Sequence, residues 1–139
     1  STSDAFGVTG VQLEKGSVAT PFEFRSFASE LALCERYYQK SYYMADGPGA
    51  FTPNDEELWH APKTGMQYYR FQYRSRMRTA PTLTVYSTAT GTANRIRDLS
   101  ATSDITPSST FGWESAGYVE FTGTSDHLMT FQWVTSAEL

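Results

Sequence analysis

Hydrophobic and polar residues alternate along most of this chain, and the alternation predicts strands. From Gln67 to Arg78, positions 69, 71, 73 and 77 are Tyr, Phe, Tyr and Met, while positions 70, 74, 76 and 78 are all Arg. A period of two gives this strand one apolar face and one strongly basic face. Leu83 and Val85 point inward from a strand over 82–87, and Arg95 and Arg97 lie on another over 93–99. Short strands are expected at Ile105 and at Phe111 and Trp113. Val119 and Phe121 share a face in 118–122, as do Met129, Phe131 and Trp133 in 128–134. Gly, Ser and Pro turns separate these runs, a rhythm that indicates a mainly β, jelly-roll-like sandwich.

The first third of the chain reads differently. Phe6, Val8, Val11 and Leu13 alternate with small or polar neighbours, with a phase slip at Gly10 that suits a bulged strand. Pro21 holds Thr20 extended. A helix is predicted over 26–40: Ser26 is a suitable cap, Glu30 sits early, and Arg36 and Lys40 sit late. Phe24, Phe27, Leu31, Cys34 and Tyr38 form its apolar stripe. Packing on the protein's own sheet is the expected use of that stripe, with Cys34 as a small buried hydrophobe. A coiled coil with partner helices is the alternative, but two heptads are too short to stand alone. Residues 1–25 are expected to form an extended lead-in strand, and 26–139 a helix plus β-sandwich. Tyr42 to Met44 suggest a short strand, followed by a long irregular loop from Ala45 to Gly65.

Composition narrows the function. A chain of 139 residues is one domain, and nine Tyr, nine Phe and three Trp suit a sheet protein. A net charge of -4 and only three Lys argue against a general nucleic-acid binder. No apolar run reaches the ~20 residues of a membrane helix. One Cys and two His exclude an internal disulfide and the usual zinc frameworks, and no metal or cofactor is expected. His60 and His127 lie in no catalytic motif, and Asp55, Glu56 and Glu57 read as a solvated charge cluster before they read as glycosidase carboxylates. The candidate chemistry is binding. Sugar rings stack on aromatic faces while a few polar groups hold their hydroxyls. Trp59 with His60 and Asp55, Tyr42 and Tyr43 at the loop entrance, and Trp113 beside Glu114 have that mix. The stripe of Arg70, Arg74, Arg76 and Arg78 suits a subunit interface first and an anionic glycan second.

Two stretches resemble a known family. Gly10-Val-Gln-Leu-Glu-Lys-Gly16, continuing through Thr20-Pro-Phe-Glu23, is followed by Glu30-Leu-Ala-Leu-Cys-Glu-Arg-Tyr-Tyr38. This is similar to tail-fibre and tailspike proteins of tailed bacteriophages, in which such a motif ends one jelly-roll module and the Cys-x-Arg-Tyr-Tyr helix opens the last. Met77-Arg-Thr-Ala-Pro-Thr82, Gly91-Thr92 and the ending Phe131 to Leu139 resemble the closing β-domain of the same proteins. The resemblance implies a homotrimeric tip domain of a virion tail that binds a bacterial surface polysaccharide or lipopolysaccharide, or locks three fibre chains together, or both. It implies no membrane insertion and no fixed ligand residues, and it makes Cys34, Arg36, Tyr37 and Tyr38 architectural. A structural cap without ligand is the alternative reading, and a glycan-degrading enzyme a more distant one.

Overall fold

A computed structural model describes residues 9–18, 20–50 and 56–137. Among these residues the chain is mainly β, with one helix and two antiparallel sheets. The elements are α1 (Phe27–Glu35), β1 (Tyr38–Lys40), β2 (Glu57–His60), β3 (Gly65–Gln72), β4 (Thr82–Tyr86), β5 (Ile96–Asp98), β6 (Ser103–Ile105), β7 (Ser109–Gly112), β8 (Ala116–Gly123) and β9 (Leu128–Ser136). The first sheet is organised around β9. Along one edge β9 pairs with β1 and then β2, and along the other with β4 and then β5, all antiparallel. The amides show this division. Trp133 and His127 offer their carbonyls to Ser41 and Ala61 on one edge, and Leu128 offers its carbonyl to Leu99 on the other. β6 extends the sheet beyond β5. The second sheet has the order β3-β8-β7.

The two sheets face each other across one core. Phe71 and Tyr73 come from the β3 side, Val119 and Phe121 from β8, and Met129, Phe131 and Trp133 from β9. The Phe71 and Trp133 rings stack with centres 4.5 Å apart, and Tyr69 meets Phe131 edge-on at 5.5 Å. These are the odd positions expected to face inward, so their alternation is realised. Glu57 ties the layers together: its carboxylate accepts from the Tyr69 hydroxyl at 2.5 Å and from the Trp133 indole N–H at 3.0 Å.

The other face of β9 is also covered. Thr130 and Gln132 are fully buried although their side chains point away from the core. The cover comes from two segments, residues 41–50 after β1 and residues 87–95 between β4 and β5. Thr88 and Thr130 share a short hydroxyl–hydroxyl hydrogen bond. The loops touch each other at Gly49 and Gly91, both at positive φ (75° and 67°), with the Gly49 carbonyl lying where a Gly91 Cβ would stand. Lys40 braces the first loop. Its ammonium is buried, donates to the Met44 and Asp46 carbonyls, and sits 4.5 Å from the centre of the Tyr42 ring.

The first third of the chain departs from expectation. α1 starts at Phe27 as its cap predicts, with the Ser26 hydroxyl accepting from the Ser29 amide at 3.2 Å, but it ends at Glu35. Residues 38–40 form β1 because they meet an open edge of β9, where an extended chain gains ladder hydrogen bonds. Tyr42 to Met44 form no strand. The helix buries none of its residues, and Cys34 is exposed, so packing of the stripe on the protein's own sheet is not what happens. No strand is assigned over residues 9–18, while Phe6 and Val8 of the expected bulged strand lie outside the described residues.

Two outcomes follow from this packing. Gly91→Ala combines a positive φ with a backbone clash and should destabilise the fold by about 1–3 kcal/mol, read from the urea midpoint. Burial also pushes the Tyr42 hydroxyl up from 10.0 to about 12, and raises Tyr38, Tyr69 and Tyr73 as well. A raised folded-state value means that stability is fully present below the unfolded value of about 10 and is lost as pH climbs through about 12. Lys40, lowered by burial, acts in the opposite sense but is one group against four. Urea midpoints should therefore stay level between pH 8 and about 10 and fall above it.

Candidate functional site: the open face of the second sheet

Strand alternation that sends the odd positions of β3 and β8 into the core sends the even positions to solvent. Nothing among the described residues covers that outer face. Register sets Arg70 opposite Tyr118 and Tyr118 opposite Phe111, so these three side chains lie in one row across the sheet. Tyr68 stands one row away, opposite Glu120. Trp113 follows β7 in the turn closed by its own amide to the Ala116 carbonyl.

The result is a cluster of rings centred on Tyr118. Tyr68 stacks on it at 5.8 Å and 24°, Phe111 lies at 6.0 Å, and Trp113 at 5.8 Å. Tyr68, Phe111 and Trp113 are each about half exposed, at 53%, 52% and 49%. Arg70 caps the cluster with its guanidinium 5.7 Å from the Trp113 ring centre. Desolvation, with smaller contributions from Glu120 and Tyr68, raises the Tyr118 hydroxyl above its usual value. Chemically this is an apolar platform with a cation, a carboxylate and phenol hydroxyls at its rim.

The arginine stripe continues beyond the strand expected to carry it, because β3 ends at Gln72 and Arg74, Arg76 and Arg78 lie past it. Arg76 forms a two-pronged ion pair with Glu114, its Nε at 2.7 Å from the carboxylate. Arg74 lies 3.9 Å from Glu35, and Arg78 stacks over Tyr37 at 5.8 Å. All four arginines of the stripe are exposed.

The residues expected to form a sugar site are dispersed. Asp55 lies outside the described residues. Tyr42 is 2% exposed beneath its own loop, whereas Tyr43 is open to solvent. Trp59 points to the core side, edge-on to Tyr69 at 5.3 Å, with its indole N–H buried and without a hydrogen-bond partner among the described residues. His60, next in β2, faces outward, 3.9 Å from Asp126. Trp113 is the expected ring that joins other exposed rings. Tyr68, Phe111 and Tyr118 were absent from the sequence-based set. Their signal was phase: Tyr68 is in step with Arg70, and Tyr118 out of step with Val119 and Phe121.

A second polar centre lies at the far end of the first sheet. His127 Nδ1 is 2.8 Å from the buried Asp98 carboxylate, which also accepts from the Ala101 amide. Burial alone would raise Asp98, but these hydrogen bonds outweigh it and hold the carboxyl below its usual value. Both partners serve the turns beside β5 and β9. Among the described residues, no group of three or more His, Cys, Asp and Glu is placed to hold a metal ion. Comparison of the chain with family models, curated proteins and solved structures gives no match.

The two faces of β8 predict opposite responses to truncation. Tyr118→Ala should change stability by less than about 1 kcal/mol, because its ring is on the open face. Phe121→Ala, fully buried, should cost about 3–5 kcal/mol in urea denaturation.

Proposed function

We propose that this chain is a receptor-binding tip domain of a tailed-bacteriophage tail fibre or tailspike, jelly-roll-like and homotrimeric, that binds a bacterial surface glycan without catalysis. The observation that carries the binding reading is the open ring cluster of Tyr68, Phe111, Trp113 and Tyr118 with Arg70 at its edge. Flat aromatic faces suit the C–H faces of sugar rings, and rim groups such as Glu120 suit their hydroxyls. Each site would be weak, and several copies on one particle would supply avidity.

Assembly is supported by the N-terminal arm. Leu13, Phe24 and Phe27 are 100%, 90% and 81% exposed, and Val11 and Val18 are nearly as open. The chain's accessible surface is 9102 Å², against about 7,200 Å² for a compact monomer of its 15.6 kDa. The excess exceeds the roughly 800 Å² per partner that a stable interface needs. Second copies of this chain fit this surface, because Phe27, Leu31 and Cys34 share one face of α1 and none of them is buried within the chain. That arm is a better assembly surface than the arginine stripe, since Arg74 and Arg76 already face carboxylates of their own chain. A trimerisation cap with no ligand is the second reading, favoured by the same arm. No helix among the described residues is long and apolar enough to cross a membrane.

Binding to a panel of bacterial lipopolysaccharides and capsular polysaccharides separates the readings. Wild type should bind at least one member, and Trp113→Ala with Tyr118→Ala should weaken that binding about tenfold or more. No binding by wild type would favour the cap. Light scattering should give a trimer at micromolar concentration, and a stable monomer would remove the assembly claim.

A further inference from the structure

The arginine stripe leads from the ring cluster into a groove that sugar stacking alone does not explain. A cleft of about 690 Å³ opens between α1 and residues 75–78, lined by Ala32, Arg36, Ser75, Arg76, Met77, Arg78 and Glu114. Beside it lies a shallower depression lined by Arg76, Ala80, Trp113, Glu114 and Ser115. The two share Arg76 and Glu114, so they adjoin at that ion pair, with Trp113 on one side and Arg36 and Arg78 on the other. Three guanidinium groups line the cleft against one carboxylate, and Arg76 occupies that carboxylate. Among the described residues Arg36 has no carboxylate partner, and Arg78 has only the Tyr37 ring. The Arg78 amide donates to the Arg36 carbonyl at 2.8 Å, which holds the two arginine backbones side by side. Glu35 does not offset them, because it is engaged by Ser75 at 2.9 Å and faces Arg74.

A concentration of unneutralised arginine on a chain of net charge -4 is a local field of opposite sign to the whole molecule. The planar guanidinium fork matches a carboxylate in two-point geometry, which a hydroxyl cannot exploit equally. We infer that the cleft and the depression beside it bind an acidic saccharide, a uronic-acid-type sugar whose ring stacks on Trp113 while the carboxylate of the same or the next residue pairs with Arg36 and Arg78. This rests on the glycan-binding reading and narrows its ligand to a carboxylated one.

The test uses the full chain and uronic-acid-containing bacterial capsular polysaccharides, each in native form and after carboxyl reduction to the neutral sugar. Wild type should bind the native form about tenfold or more tighter than the reduced form, as expected for a charge-assisted pair, and the preference should shrink as salt rises. Arg36→Gln with Arg78→Gln should abolish the preference by weakening the native form about tenfold or more, with the fold retained by circular dichroism. Trp113→Ala should weaken both forms. Equal binding of native and reduced forms overturns the acidic assignment and leaves glycan binding standing, as does binding confined to neutral polysaccharides. Failure to bind any saccharide overturns both. Loss of the oligomer in the double arginine variant, seen by light scattering, overturns the inference by making the cleft a subunit contact.

Discussion

The structure depends on β9 being enclosed on all sides. Its two edges carry four short strands, one face meets the aromatic core, and the other lies under two loops. A buried donor or acceptor without a partner costs about 1–3 kcal/mol, and several polar side chains of this strand are matched within the chain. Thr130 answers to Thr88, Thr135 to the Tyr73 hydroxyl, and the Trp133 indole to Glu57. The glycine contact between the loops belongs to the same constraint. Side chains at Gly49 and Gly91 would hold the loops apart and let water reach the outer face of β9.

That enclosure decides where a ligand can go. The central strand β9 has both faces covered, and the second sheet has one. The outer face of β3, β8 and β7 is therefore the large sheet surface left open, and it carries the exposed rings. The aromatic residues fall into two populations by strand phase. Tyr69, Phe71, Phe121, Phe131 and Trp133 hold the layers together, while Tyr68, Phe111, Trp113 and Tyr118 face solvent. The arginines follow the second population, so apolar surface and positive charge meet at Trp113. α1 packs on neither sheet and buries none of its residues.

Much of the fold was legible in local pattern. The inward positions of β3, β4, β8 and β9 follow from alternation, and the start of α1 follows from Ser26. The candidate site was legible only in part. Trp59 and Tyr42 are large rings next to a long irregular segment, and composition alone cannot separate a loop anchor from a ligand platform. Trp59 is turned inward by its pairing with Met129 on β9, a partner 70 residues away. Tyr42 is buried because its loop folds back over a sheet face. Neither fact has a local sequence signal. Cys34 and the helix face misled for the same reason: an apolar stripe reports that something must cover it, not what does.

The sequence by itself determined which residues share a strand face, where the helix begins, and that Arg70 opposes the apolar face of β3. Those properties follow from backbone periodicity and capping, which act over a few residues. Tertiary structure alone decided which face of which sheet stays open, where α1 gives way to β1, and that the cavities beside Trp113 and Arg36 adjoin at Arg76 and Glu114. Those outcomes depend on pairing with β9 and on competition for its surfaces, and both act between residues far apart in the chain.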